Sequence, residues 1–113
     1  MDKLTKHKKI VRTLIEEIAE MTPPDENTET QTIMDEVRGY YLLFDVGFEN
    51  IRHVFLPWVH LEVKKNGKIW LHHDGTDLKI ALILNERGIS KKDIVLAFHT
   101  PERRKLMPEF AFE

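Results

Sequence analysis

The chain has 113 residues, with 17 Lys and Arg against 19 Asp and Glu, a net charge of −2 and a pI near 6.3. Apolar residues make up 42% and charged ones 32%, the balance of one folded domain rather than a disordered chain, and the slight acidity argues against unaided binding to duplex DNA. Zero cysteines exclude disulfides, thiolate nucleophiles and cysteine-ligated zinc or iron–sulfur sites, and the lack of an apolar run near ~20 residues or of a secretory leader predicts a cytoplasmic protein.

Asp2 to Met21 predicts an amphipathic helix, because Leu4, His7, Val11, Leu14, Ile15, Ile18 and Met21 recur at steps of three and four and form one stripe. That stripe is expected to lie on a sheet. Pro23-Pro24 is expected to end the helix, with Asp25 to Asn27 as a polar connector. Thr28 to Asp35 sets threonines against Glu29, Gln31 and Ile33, the alternation of a strand. Tyr40 to Val46 predicts a second strand, Phe48-Glu49-Asn50 a turn, and about Ile51 to Lys65 a third strand in which Pro57 marks a bulge or an edge position. Asn66-Gly67 predicts a two-residue type I′ hairpin loop that folds Lys68 to His73 back onto the third strand. Asp74-Gly75-Thr76-Asp77 then offers side-chain oxygens to a helix from Leu78 to Arg87, with Gly88 in a left-handed position beyond its end. Ser90 to Asp93 reads as a short turn. Ile94 to Phe98 is wholly apolar, which predicts a strand covered on both faces and set in the middle of the sheet. The predicted fold is α+β over residues 1–113: an N-terminal helix, a four-stranded antiparallel meander, a second helix and a final buried strand.

A two-residue loop would set Lys65 opposite Lys68, Val63 opposite Trp70, Leu61 opposite His72 and His60 opposite His73. His60 and His73 are therefore the candidate functional pair, with Glu62 or His99 available to complete a metal or proton-handling site. In this register His72 and Asp74 point to the other face. Because no third ligand stands at a motif spacing, the expectation is two neutral, hydrogen-bonded imidazoles with no metal and no cofactor. His7 and His53 read as surface or helix-edge residues. Asp74-Gly75-Thr76 resembles an anion-binding helix start, yet its acidic side chains already supply the negative charge, so a self-capped helix is expected.

Two basic clusters remain: Lys3, Lys6, Lys8, Lys9 and Arg12 along the first helix, and Arg103-Arg104-Lys105 near the C-terminus. The ordinary reading of both is a solvated face; the second is retained as a candidate partner-binding cluster. Tyr40, Tyr41, Phe44, Phe48, Phe55, Trp58 and Trp70 cannot all face one side of a sheet, which predicts a protein–protein interface. With the closing Phe110-Ala111-Phe112, this surplus of apolar surface predicts a homodimer or higher homo-oligomer.

The opening MDKL, the stretches QTIMDEVRGYYLLFDVGF, GKIWLHHDGTD and ISKKDIVLAFHTPERR, and the closing FAF resemble, in order and spacing, the XisI family. That family is named for a factor controlling excision of the fdxN element in filamentous cyanobacteria. The resemblance covers almost the whole chain and departs from the family pattern at Phe48, Asp77 and Leu106-Met107, where burial or charge is kept. What it implies is a non-catalytic controlling factor for programmed excision of a DNA element. It would act with a XisH-like partner, itself similar to restriction-type nucleases, and a site-specific recombinase. Two competing readings are a metal-dependent hydrolase centred on His60 and His73, and a direct DNA-binding module using the basic N-terminal helix.

Overall fold

The computed structural model describes residues 2–21 and 26–113. The element order is α1 (Lys3–Met21), β1 (Thr28–Asp35), β2 (Tyr40–Glu49), β3 (Arg52–Val63), β4 (Ile69–Asp74), α2 (Ile80–Glu86), β5 (Ile94–Leu96) and α3 (Pro101–Lys105). The five strands form one sheet in chain order, antiparallel from β1 to β4, with β5 parallel to β4. Pro23-Pro24 and Asp25, expected to end the first helix and open the connector, lie outside the described residues.

Helix α1 starts where Asp2 accepts the Thr5 N–H at 2.8 Å, satisfying one of the donors a helix start leaves unpaired. Its stripe of Val11, Leu14, Ile15 and Ile18 is buried against Tyr41, Leu43, Val59, Leu61 and Val63 of the sheet, and Ile80 and Leu84 of α2 join the same core. Both helices thus cover one face, which supplies the dehydrated apolar contact that stabilises a small α+β domain. His7, expected at the surface, is buried: its Nδ1–H donates to the Gly67 carbonyl at 2.6 Å, tying the first turns of α1 to the β3–β4 loop. The stripe had carried this position into the interior; a polar ring is tolerated there because the carbonyl completes it.

Pro57 falls beside a bulge, as its missing N–H requires: Leu43 pairs with Val59 and Phe44 with Pro57, leaving Trp58 as the extra residue. The β3–β4 loop differs from the two-residue turn. Gly67 N–H donates to the Lys64 carbonyl at 2.9 Å and Lys64 N–H to the Lys68 carbonyl at 2.8 Å, so three residues, Lys65 to Gly67, make the loop. Gly67 has φ 87° while Asn66 does not take positive φ, the geometry of a type I turn followed by a glycine bulge rather than of type I′. Val63 consequently pairs with Ile69, Glu62 with Trp70 and Leu61 with Leu71.

Helix α2 is shorter than expected, because Lys79 is left-handed at φ 58° and Leu78 lies in the preceding turn. The expected self-capping holds: Asp74 accepts from the Thr76 N–H at 2.8 Å and from the Ile80 N–H at 3.0 Å. The other end closes as a Schellman motif, with Ile89 N–H donating to the Leu84 carbonyl at 3.1 Å and Gly88 N–H to the Asn85 carbonyl at 3.1 Å. Strand β5 is a correction. It has three residues and sits at the margin of the sheet beside β4, not in its middle. Its apolar run is buried because the helices cover Ile94 and Leu96 while the C-terminal tail, through an Ala111 bridge to Val95, closes the other side.

Gly88 has φ 105°, and a Cβ there would make only ordinary contact with the Lys6 side chain, whereas at Gly39, φ 80°, a Cβ would stand 2.3 Å from the Val63 carbonyl oxygen. Gly88→Ala is expected to cost about 1–2 kcal/mol from backbone conformation alone, and Gly39→Ala more than that because a ladder must also move, as measured by urea titration.

Candidate functional site

The face of the sheet opposite the helices is where the unassigned chemistry lies. His60 does pair with His73 in the β3–β4 ladder, as expected, but for a different reason: the three-residue loop moves the register by one, and His72, an extra residue between the Leu61–Leu71 and His60–His73 pairs, restores it. The bulge brings His72 onto the face of His60 and Glu62, contrary to the expectation that it points away. The His60 and His72 rings have centroids 4.6 Å apart, and His72 Nε2 lies 2.9 Å from Glu62 Oε1. His73 is exposed. The group that the structure assembles is thus His60, His72 and Glu62, with Lys64 on Glu62 at 3.1 Å. His99 is not part of it: its carbonyl accepts from Arg104 Nε at 3.1 Å and its ring packs against Phe98. Among the described residues no three His, Asp or Glu side chains converge as a metal ion would require. Sequence reasoning missed His72 because it assumed the shortest loop; Asn66-Gly67 fits the glycine-bulge loop equally well, and only that loop gathers Trp70, His72 and Glu62 on one side.

Electrostatics follow from this crowding. Partial burial, and then the neighbouring His72 and His73, hold the His60 imidazole below its usual range, against an opposing pull from Glu62. Burial pushes Glu62 up, but the hydrogen bonds from His72 and Lys64 outweigh it and leave the carboxyl below its usual range.

The basic cluster splits. Arg104 is half-buried and structural: it donates to the His99 carbonyl, to the Phe112 carbonyl at 2.9 Å, and stacks over Trp70 at 5.6 Å. Arg103 is exposed, and Lys105 is exposed with its ammonium 5.5 Å from the Phe112 ring. Along α1, Lys3 pairs with Asp93 at 2.7 Å, Lys6 and Lys8 reach the Gly88 and Glu36 carbonyls, and Arg12 lies 3.7 Å from both Glu16 and Glu36. These cations are engaged within the chain. A cleft of about 840 Å3 between the β1–β2 turn and the β3–β4 loop is lined by Arg38, Tyr40, Glu62, Lys64 and Trp70; its Arg38 is likewise held, by Asp35 at 2.9 Å.

Farther along the same face the sheet is apolar and open. Phe44 and Phe55 have ring centroids 5.4 Å apart, and Phe48 and His53 5.3 Å. Phe55 is 67% exposed, Phe48 53% and Ile33 45%, too much apolar area in one place for a face meant only for water.

A family model described as XisI protein matches residues 1–112. The chain belongs to the XisI family. It is similar to a crystal structure of a XisI-like protein from Anabaena variabilis, with a TM-score of 0.90 and 30% identity over 96% of this chain and 97% of that one. It is also similar to a crystal structure of the fdxN element excision controlling factor XisI from the same organism, with a TM-score of 0.87 and 32% identity over 99% of this chain and 100% of that one. No curated protein matches. The arrangement of helices and strands described above is thus shared with XisI-like structures, and no helix among the described residues is long and apolar enough to cross a membrane.

Two outcomes test this geometry. Arg104→Ala is expected to lower stability by about 1–2 kcal/mol and to release the tail to proteolysis, while Arg103→Ala and Lys105→Ala stay within about 0.5 kcal/mol. The second concerns pH. Since His60 binds its proton more weakly folded than unfolded, the unfolded state takes up more protons as pH falls below about 6.5, and folding stability falls with it. Denaturant midpoints between about pH 7.5 and 5.5 are expected to drop in the wild type and to drop less in His60→Asn.

Proposed function

We propose that this XisI-family chain is a non-catalytic accessory factor for programmed excision of a DNA element of the fdxN type. It acts by binding a XisH-like protein, and through it a site-specific recombinase, and it works as a homo-oligomer. The observation that carries this reading is the open aromatic face of β2 and β3, a surface suited to a protein partner. Family membership supports the excision context. The net charge of −2 and the internal engagement of Lys3, Lys6, Lys8 and Arg12 on α1 support action on the DNA-handling protein rather than on DNA.

Co-expression of the chain with a XisH-like protein from the same genome tests it. A stable complex is expected, with Phe55→Asp weakening it by about 10-fold or more, because an exposed ring at the centre of an apolar patch is where binding energy concentrates. Absence of a complex, or salt-sensitive binding of the chain alone to non-specific duplex, would overturn the reading.

A further inference from the structure

The two margins of the sheet are built differently. At one, β5 is three residues long and the tail bridges it at Ala111. At the other, β1 runs for eight residues, TETQTIMD, with no described strand beyond it. Its register with β2 is unbroken from Thr28–Gly47 to Asp35–Tyr40, and it contains no Pro, Lys or Arg. Of the devices that blunt a sheet edge, Pro, Lys and a bulge are absent from β1, and its charges are Glu29 and Asp35.

Hydrogen bonds at both ends of the β1–β2 pairing say which backbone groups are free. The Asn27 carbonyl accepts from Phe48 N–H at 2.9 Å and the Asp35 carbonyl from Gly39 N–H at 2.7 Å. Odd-numbered residues therefore bond inward to β2, and by alternation Thr28, Thr30, Thr32 and Met34 aim their N–H and C=O groups out of the sheet.

We infer that β1 pairs antiparallel with β1 of a second copy, about a twofold axis at Gln31. Opposed residues of an antiparallel pair must share a face, which restricts the register to steps of two. One register engages every outward residue: Thr28 with the partner's Met34 and Thr30 with the partner's Thr32. It sets Glu29 against the partner's Ile33 and Gln31 against the partner's Gln31, so no like charges oppose each other and threonines face threonines. A shift in either direction leaves outward groups unpaired, and one of the two sets Glu29 against the partner's Asp35. This self-complementarity selects a second copy over an unrelated extended segment. The axis stands perpendicular to the sheet, so the two open faces lie on the same side and Ile33, Leu42 and Phe44 of each copy adjoin across the seam.

The inference rests on the self-association in the proposed function, and the experiment separates the two. The chain has no cysteine, so single cysteines report the seam. Gln31 would face its counterpart as a non-hydrogen-bonded pair, with Cα atoms about 4.5 Å apart, within disulfide reach. Glu29 would lie roughly 13 Å along the strand from its counterpart. Under mild oxidation Gln31→Cys is expected to form an intermolecular disulfide at least 10-fold faster than Glu29→Cys. Thr32→Pro removes an N–H that bonds nothing in the single chain, so it should keep the far-ultraviolet circular dichroism of the wild type while sedimenting as a monomer where the wild type is a dimer, at tens of micromolar. A wild-type dimer with equal cross-linking at the two positions, or with Thr32→Pro still dimeric, overturns the edge and leaves self-association standing. A monomeric wild type overturns both.

Discussion

Strand β3 is bonded on both sides, and the alternation of its side chains decides what each neighbouring strand turns toward the helices. Val59, Leu61 and Val63 point into the core and draw Leu43, Leu71 and Ile69 with them. Two extra residues keep that alternation consistent. Trp58 absorbs the break caused by Pro57, and its indole N–H donates to Asp45 at 2.9 Å, so the bulge has a partner for its polar atom. His72 absorbs the step between the three-residue loop and the capping segment at Asp74. Without it, Asp74 would leave the face on which it accepts from Ile80 N–H, and α2 would lose its start.

Element order was legible from the sequence because each boundary has a local cause. The α1 stripe, the threonine alternation of β1, the Asp74 cap and the Gly88 stop all act within a few residues. What was not legible depended on distant partners. His7 is buried because Gly67, sixty residues on, accepts its proton. The apolar run of β5 stands at a margin because a tail, invisible to periodicity, covers it. The exchange of His72 for His73 in the histidine group follows from one residue of loop length, which the pair Asn66-Gly67 leaves open. Candidate site and candidate register were thus one question, and a sequence-level answer to the first could be no better than its answer to the second.

Several of the chain's lysines and arginines serve as internal fasteners: Lys3 and Lys6 hold the segment around α2 and β5, Lys8 and Arg12 hold the β1–β2 turn, and Lys68 and Lys92 reach the carbonyls of Glu113 and Pro108 in the tail. Exposed pairs of this kind add little stability one by one. Their collective effect is positional, because they fix α1, the turn and the tail around a sheet whose remaining face is left free.

The two tryptophans each lie against a charge of opposite sign. Trp58 donates to the Asp45 carboxylate on the helix side, whereas Trp70 lies between Lys64 and Arg104, each cation within 6 Å of its ring centre. Indole emission responds to nearby charge, so the pair divides the molecule into two optical regions without any added dye. One indole reads the bulge at the start of the buried ladder; the other reads whether the tail is seated beside the histidine group.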